Sequence, residues 1–443
     1  MSSTASAVIN GKVRNVILMV SDGMNHGTLS AANHWLNLRE NRESEWMKLY
    51  HSGLATRRLC ETSCANSLVT DSAAASSAWG IGQRVNMGAV NITPDGESPE
   101  PIGVLAKKKG KSVGMVTTAR ITHATPAGFA ANVEHRSQED RIAEQYLERR
   151  MDVLLGGGDE HFAPELRSDG KDLYAAYQQE GYAVVKTRDA LLGFKDAAGT
   201  PLLGVFSKDH LPYCLDRMYQ RQFREVPSLE TLTEVALNRL STNPEGFLLQ
   251  IEAGRVDHAG HANDPASILH EQLEFDRTIA IVRAFAEGRD DTLVVVTTDH
   301  GTGGFMLCGA DDGYHHAQPR FEGLFRCIGS HEQLHREVSD LQDSDLLLAA
   351  IERNYGILLD STERESVLAA LERPVEEGIY HAIRNLTEAL NPIFFRRFSV
   401  SWNCANHTGD LVELAMFGPG SNMLPTYAEN WQLHGVMCEL MGL

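Results

Sequence analysis

Carboxylate and imidazole side chains follow two apolar runs of the sequence, where strands are predicted to end. Asp22 follows residues 13–21, and the pair Asp299–His300 follows residues 291–298. In an open α/β sheet, ligands gather outside the carboxyl ends of the strands. Taken singly, Asp22 would also suit a helix cap, and Asp299–His300 would also suit a polar turn. These residues become strong candidates for a functional site only when they are considered together.

The densest group of ligating residue types lies in residues 250–264, QIEAGRVDHAGHAND. Asp257 and His261 are four residues apart, which places both on one face of a helix. A carboxylate oxygen and an imidazole nitrogen suit zinc, whereas the preceding Glu252 is a harder ligand suited to magnesium. This spacing favours a metal site over a surface helix. His407 in NHTGD is a further candidate that carries little weight alone.

Ser72 in LVTDSAAASSAW is the candidate nucleophile. It precedes a run of small residues typical of a helix, and a helix N-terminus favours a bound anion. From the segment alone, a helix cap formed by Asp71 or Ser72 is the better interpretation. A serine hydroxyl needs a base or a metal to act as a nucleophile, and the sequence has no nucleophile-elbow motif. Activation by metal is therefore the more natural hypothesis.

Taken together and in order, these motifs resemble those of the alkaline phosphatases over most of the chain. The matching motifs are VSDGM, TDSAAAS, THATPAG followed by EHR, QIEAGRVDHAGH, TTDHG, NHTGD and GPGS. The resemblance implies hydrolysis of phosphate monoesters to an alcohol and inorganic phosphate through a phosphoserine intermediate at Ser72.

The resemblance also implies three metal ions per subunit, two zinc and one magnesium, each with its own ligands. The implied sets are Asp257, His261 and His407 for one zinc, Asp22, Asp299 and His300 for the second zinc, and Asp22, Thr125 and Glu252 for magnesium.

Three further residues acquire roles from the same resemblance. Arg136 matches the arginine that forks onto phosphate oxygens, a task suited to a planar guanidinium. His123 and His258 occupy positions where some members carry Asp and Lys and others carry histidines. They are expected to tune the magnesium site and phosphate release without binding metal directly.

The composition excludes some classes of function. The 443 residues include 59 acidic and 40 basic side chains, for a formal charge of −19, which argues against a nucleic-acid-binding face. The negative net charge does not exclude anionic substrates, because a metal cluster can make the electrostatic potential positive within one cleft. No apolar stretch has the length of a membrane span. The resemblance to the alkaline phosphatases implies small phosphomonoesters as substrates and a second copy of the chain, in a homodimer, as a partner.

The first twelve residues, MSSTASAVINGK, lack the apolar core of a signal peptide. We expect a periplasmic or secreted protein whose signal is absent from this sequence, with a cytoplasmic protein as the alternative. Seven cysteines, an odd number, leave the disulfide pattern open.

Apolar runs alternate with helical patterns in the first half of the chain. This alternation predicts an α/β fold with a central, mostly parallel sheet flanked by helices on both faces. The predicted strands are residues 13–21, 112–118, 151–158, 245–253 and 291–298, and the predicted helices include residues 137–150 and an amphipathic one at 265–288.

Residues 305–400 are predicted to be a mainly helical insertion, a lid or a dimer arm, within a single domain of residues 1–443. Residues 344–356 end in Gly356 like a capped helix, and Thr362 with Glu365 is a plausible capping box. Residues 377–391 form a third helical pattern.

Other functions on a similar metal core are less consistent with the motifs. Related phosphodiesterases and pyrophosphatases typically present threonine as nucleophile, whereas Ser72 is in that position here. A sulfatase would follow its Cys or Ser with x-P-x-R, which Ser72-Ala73-Ala74-Ala75 lacks. Signatures of a phosphosugar mutase are not evident. A metal-bound structural protein with a dead site is the alternative from another class. The intact nucleophile, arginine and ligand set argue against it, and a test for turnover of an aryl phosphate would decide between the two.

Overall fold

The computed structural model describes residues 13–194, 199–310, 312–337, 343–372 and 381–443. The strands within those ranges, in chain order, are β1 (Asn15–Val20), β2 (Thr56–Glu61), β3 (Ser112–Arg120), β4 (Val153–Gly157), β5 (Ala183–Val185), β6 (Leu202–Val205), β7 (Phe247–Glu252), β8 (Thr292–Thr297), β9 (Gly301–Thr302), β10 (Met306–Leu307), β11 (Val400–Ser401), β12 (His407–Thr408), β13 (Val412–Phe417) and β14 (Tyr427–Glu429).

A ten-stranded sheet forms the centre of the described chain, in the order β14-β2-β13-β8-β1-β7-β3-β4-β6-β5. Every neighbouring pair is parallel except for β13, which runs antiparallel to both β2 and β8. The predicted, mostly parallel sheet is therefore confirmed. All five predicted strands belong to it, as β1, β3, β4, β7 and β8.

Both faces of this sheet are covered, because successive side chains of its inner strands enter two different cores. In β1, Ile17 and Met19 pack into one core, whereas Val16, Leu18 and Val20 pack into the other. Side chains alternate across a strand, so a continuous apolar run requires helices on both faces. This is the physical reason for the flanking helices.

The helices that cover the sheet or extend from it are, in chain order, α1 (His26–Glu40), α2 (Glu45–His51), α3 (Ser72–Ile81), α4 (Ile102–Lys108), α5 (Ala124–Ala130), α6 (Glu139–Glu148), α7 (Leu173–Gln179), α8 (Arg188–Gly193), α9 (Cys214–Tyr219), α10 (Leu229–Leu240), α11 (Arg255–His261), α12 (Pro265–Ala286), α13 (Ala317–Phe321), α14 (His331–Glu337), α15 (Ser344–Tyr355), α16 (Ser361–Leu371), α17 (His381–Phe398) and α18 (Gln432–Met441).

The predicted mainly helical insertion is confirmed between the last two groups of site residues. Helices α13 to α17 follow β10 and precede β11, and these two strands pair antiparallel, with Met306 opposite Ser401. The chain therefore leaves and re-enters the rest of the fold at neighbouring points. The role of the insertion as a lid or a dimer arm stays a prediction.

Two details of the predicted helices are wrong. The capping box of α16 consists of Asp360 and Glu363 and not of Thr362 and Glu365. The Asp360 side chain accepts the backbone N–H of Glu363, and the Glu363 side chain accepts the backbone N–H of Asp360. Helix α12 was predicted to be amphipathic, but its residues 265–276 are all buried, polar side chains included, so this half has no exposed polar face. The beginning of the third predicted pattern, residues 377–380, lies outside the described residues.

Candidate metal and catalytic centre

Three adjacent parallel strands bring carboxylates to one edge of the sheet. In the register of the sheet, Val20 at the end of β1 lies between Glu252 of β7 and Thr297 of β8. Asp22 follows β1 and Asp299 follows β8, and both side chains are fully buried, as is that of Glu252. Residues far apart in sequence thus meet where the strands end, as the sequence predicts.

Asp257, His261 and His407 form the first group of candidate ligands. The Nε2 atoms of His261 and His407 lie 3.0 Å apart, and they lie 3.4 and 3.6 Å from Asp257 Oδ1. A tetrahedral zinc site with bonds of about 2.0–2.1 Å has ligand atoms about 3.3 Å apart. The three atoms therefore have the spacing of one face of such a tetrahedron.

The backbone contacts of the two imidazoles point to a cation between them. His261 Nδ1 lies 2.8 Å from the Ala405 carbonyl oxygen, and His407 Nδ1 lies 2.8 Å from that of Thr70. A carbonyl only accepts, so both rings carry the proton on Nδ1 and direct a lone pair from Nε2. Two facing lone pairs repel each other, and a shared metal ion removes the repulsion.

His300, Asp299 and Asp22 form a second group beside the first. His300 Nε2 lies 3.2 Å from Asp299 Oδ2 and 3.7 Å from Asp22 Oδ1. Both carboxylate oxygens are buried without a hydrogen-bond partner in the described chain. Asp257 also offers an oxygen within 4.8 Å of His300 and Asp22. Asp257 therefore lies between the two groups.

The third group surrounds the other side of the Asp22 carboxylate. Thr125 Oγ1 donates to Asp22 Oδ2 over 3.3 Å, and Glu252 Oε1 is buried without a hydrogen-bond partner among the described residues. His123 also offers a ring nitrogen within 4.8 Å of carboxylate oxygens of Asp22 and Glu252. The geometry brings the predicted hard ligands together and adds His123 to their neighbourhood.

The electrostatics of the cluster favour a compensating positive charge. Burial, and then the neighbouring Asp299, raises the pKa of Asp22 well above its ordinary value. Burial likewise raises the pKa of Glu252 to about 7 and that of Asp299 to about 6. Ionised carboxylates are costly in such surroundings unless they are paired or coordinate metal. The donor set and its unpartnered oxygens fit divalent cations.

Ser72 is the first residue of α3, and its hydroxyl faces the second group. Its Oγ lies 3.3 Å from His300 Nε2. Asp71 caps the helix, accepting the N–H of Ala74 over 3.1 Å. The predicted cap is thus present, but at Asp71, and the Ser72 hydroxyl turns toward the ligand cluster. Arg136 donates to Asp71 Oδ2 over 3.1 Å and lies 2.9 Å from His123 Nε2.

A cavity of about 1040 Å³ opens over these groups. Ser72, His123, Arg136 and His258 line it. The helical insertion contributes part of its wall through α14. A substrate in this cavity would touch the candidate nucleophile, the candidate phosphate-binding arginine and the insertion at once.

Residues that sequence reasoning missed also contribute to the site. Thr302 Oγ1 donates to Asp257 Oδ1 and lies 3.3 Å from His300 Nδ1. His210 packs against His258 and His123, with ring centroids 4.2 and 5.4 Å apart. Thr302 directly follows the motif TTDHG, and this position could have marked it as a site residue. His210 lies in none of the motifs, so nothing in the sequence marks it as a site residue.

The fold and the site together define a metal-dependent hydrolase of the α/β class. The chain belongs to the alkaline phosphatase family, whose model, described as alkaline phosphatase, matches residues 13–443. It is 31% identical over 415 residues to alkaline phosphatase 4 of Bacillus subtilis, covering 92% of this chain and 84% of that one.

Similarities to other proteins extend over the same length. An alkaline phosphatase of Schizosaccharomyces pombe is 32% identical over 442 residues, with 95% and 79% of the two chains covered. The crystal structure of Thermus thermophilus alkaline phosphatase matches with a TM-score of 0.89 at 33% identity, covering 100% of this chain and 94% of that one. The predicted family and enzyme class are therefore confirmed. In the described residues no helix is long and apolar enough to cross a membrane.

Proposed function

We propose that the protein hydrolyses phosphate monoesters through a phosphoserine intermediate at Ser72, with two zinc ions and one magnesium ion per subunit. The observation that carries this proposal is the position of Ser72. Its Oγ lies 3.3 Å from His300 Nε2, inside a cavity that Arg136 also lines. A hydroxyl at a helix N-terminus, among candidate zinc ligands and beside a guanidinium, suits attack on a phosphoryl group.

The ligand sets follow from the three groups of atoms. Asp257, His261 and His407 would hold one zinc and Asp22, Asp299 and His300 the other, while Asp22, Thr125 and Glu252 would hold magnesium. Bound there, the ions would supply the positive charge that lowers the pKa of the Ser72 hydroxyl and offsets the charge of the leaving oxygen.

Arg136 would hold the transferring phosphoryl group while Ser72 attacks it. Its guanidinium is kept in place by Asp71, whose carboxylate lies 3.1 Å away. Planar, bidentate donors suit phosphate oxygens. The N-terminus of α3 adds partial positive charge beside the oxygen of Ser72. The chain thus supplies both the orientation of the phosphoryl group and part of the charge that its transfer requires.

His123 and His258 would act on water and phosphate and not as metal ligands. Arg136 Nη2 lies 2.9 Å from His123 Nε2 and can only donate, so the proton of His123 sits on Nδ1. That buried N–H has no hydrogen-bond partner in the described chain and suits a water molecule or an anion. A donor at this position would orient water around magnesium and influence the departure of phosphate.

The assembly and location of the enzyme are part of the same proposal. We propose a homodimer that acts in the periplasm or outside the cell, with the cytoplasm as the alternative. The insertion would then serve as a lid over the cavity or as an arm against the second subunit. The position of its helix α14 in the wall of the cavity supports the role as a lid.

The decisive experiment combines metal analysis of the purified protein with turnover of two substrates. We expect two zinc ions and one magnesium ion per subunit, rapid hydrolysis of an aryl phosphate and far slower hydrolysis of the matching bis-aryl phosphate. Faster turnover of the diester would contradict a monoesterase. A fully metallated protein without turnover would indicate a structural metal site.

A further inference from the structure

An ion pair joins the helical insertion to helix α11. Glu332 of α14 accepts from Nη2 of Arg255, the first residue of α11. The Arg255 side chain is only 4% exposed, whereas that of Glu332 is 35% exposed at the cavity wall. Because α11 also carries Asp257 and His261, this contact connects the insertion with the candidate metal ligands.

Arg255 uses a different nitrogen to hold His258. Its Nη1 lies 2.8 Å from His258 Nδ1, and its guanidinium carbon lies 3.9 Å from the centroid of the Tyr213 ring. A guanidinium has donors only, so His258 Nδ1 accepts and the proton of the imidazole is on Nε2. Arg255 is therefore fixed by an anion, an aromatic face and an imidazole, and it selects one tautomer of His258.

The position of Glu332 is itself fixed by buried carboxylates of the core. The N–H of Ser330 donates to Asp216 Oδ1 over 2.9 Å, and the N–H of His331 donates to Asp264 Oδ2 over 2.8 Å. The side chains of Asp216 and Asp264 are fully buried. The beginning of α14 is thus anchored to α9 and α12, and Glu332 meets Arg255 from a rigid base.

We propose that Glu332 and Arg255 are positioning residues, through which the insertion fixes the tautomer of His258 and limits how tightly the cavity holds phosphate. The inference rests on the proposed function. Arg255 and Glu332 both line the cavity. While they are paired, their charges cancel beside a bound dianion. Without Glu332, the Arg255 cation would be free to attract phosphate, and product release would slow.

The test uses Glu332→Gln, Arg255→Met and the double variant in the metal-loaded enzyme. In Glu332→Gln we expect the dissociation constant of inorganic phosphate, measured by calorimetry, to fall about three- to tenfold. We expect kcat to fall because product release is slowed, and KM to fall at least as much, because the freed cation attracts the substrate dianion as well. Glu337→Gln is the matched control, because Glu337 lies on the same helix and pairs with Arg353 away from the cavity.

The double variant and a spectroscopic measurement separate positioning from a general structural effect. In the Arg255→Met background, Glu332→Gln should have no further effect on phosphate binding. An equal effect in both backgrounds would overturn the proposal. Nitrogen-15 spectra of labelled histidines should show His258 as the Nε2–H tautomer in the wild type and a mixture in Arg255→Met. An unchanged His258 signal would also overturn it.

The spectra distinguish this inference from the proposed function, because they need no turnover. A wild-type enzyme without aryl phosphate hydrolysis, but with the expected His258 signals, would overturn the proposed function alone. An active enzyme with an unchanged tautomer in Arg255→Met would overturn the inference alone.

Discussion

The Oγ of Ser72 lies 3.3 Å from Nε2 of His300, although the two residues are 228 positions apart in the chain. One begins helix α3, and the other follows strand β8. Their approach depends on how α3 packs against the carboxyl edge of the sheet. The candidate nucleophile and the candidate ligands are therefore joined by tertiary packing, which mutations far from the chemistry can disturb.

Ser72→Ala should remove most of the activity and leave the metal sites filled. Removing a nucleophile typically costs a factor of about a thousand or more in kcat. The ligand groups do not depend on the Ser72 hydroxyl for their geometry. The measurements are aryl phosphate turnover and metal analysis of the same samples, together with labelled phosphate trapped at low pH. Label on any other residue of the wild type would contradict the assignment.

Ser76→Ala is the control for this experiment, because Ser76 lies one turn further along α3. Its hydroxyl donates to the Ala124 carbonyl oxygen over 2.9 Å and does not line the cavity. We expect a loss of about 1 kcal/mol of stability with activity retained. Loss of activity equal to that of Ser72→Ala would point to a packing effect.

The ligand sets predict which variants share a metal defect. His261→Ala and His407→Ala should each empty the same zinc site, and Asp299→Ala should empty the other. Loss of one ligand from a tetrahedral site should weaken zinc binding by about a hundredfold or more. Metal content after dialysis against a weak chelator measures this directly. His434→Ala, on helix α18 and outside the three ligand groups, should keep full occupancy, and full occupancy in all four variants would refute the ligand sets.

The site could be predicted from sequence where local patterns determine it. Apolar runs indicate buried strands, and the ends of these runs locate Asp22, Glu252 and Asp299 without any knowledge of the strand order. The position of His407 could not be derived in this way, because it depends on the pairing of β12 with β9, which places His407 opposite Thr302. Such pairing over a hundred residues leaves no local signal.

The contribution of the insertion to the site was not predictable for the same reason. Helical periodicity located α15 and its cap, Gly356, correctly. Nothing in that periodicity indicates that Glu332 contacts Arg255, since the contact arises from the anchoring of α14 on buried carboxylates. Capping boxes are short and common patterns, and the one at Asp360 differed from the predicted one by two residues.

Gly128→Ala should destabilise the enzyme and reduce its activity, because two site helices cross there. A Cβ at Gly128 of α5 would lie 2.8 Å from the backbone carbon of Ser76 in α3. Overpacking of this kind costs about 1–3 kcal/mol. Helix α5 carries Thr125 and α3 begins at Ser72, so the shift should also move both residues. Urea unfolding and aryl phosphate turnover measure the two effects.

Gly435→Ala provides the matched control within a helix. A Cβ at Gly435 in α18 would meet open space. The substitution should raise the free energy of unfolding by about 0.4–1 kcal/mol, because alanine loses less conformational freedom on folding. Equal destabilisation by both substitutions would contradict the close crossing of α3 and α5 as the cause.

The last prediction concerns the pH dependence of stability at Glu413. Its side chain is 3% exposed, and it accepts hydrogen bonds from Arg57 and from Tyr50 and lies 3.1 Å from His26 Nε2. Burial by itself would raise the pKa of Glu413. Hydrogen bonds with His26 and Arg57 outweigh burial and lower the pKa from 4.5 to about 2.

A carboxyl group whose pKa is lower in the folded state stabilises the protein at every pH above its unfolded-state pKa. This contribution disappears as the pH falls through the folded-state pKa. Glu413→Gln should therefore cost about 3 kcal/mol near pH 7 and progressively less from pH 4.5 to pH 2. Urea midpoints of chelator-treated wild type and variant at pH 7, 4 and 3 measure the difference. Titrations that do not involve Glu413 cancel from it. His26, whose pKa is raised by its hydrogen bond with Glu413, stays protonated at pH 4 and pH 3, so the change between these two values reports Glu413. Glu40→Gln, at an exposed ion pair with Arg42, should change little at any pH. A difference between wild type and Glu413→Gln that stays constant over this range would show that the folded pKa of Glu413 is not lowered.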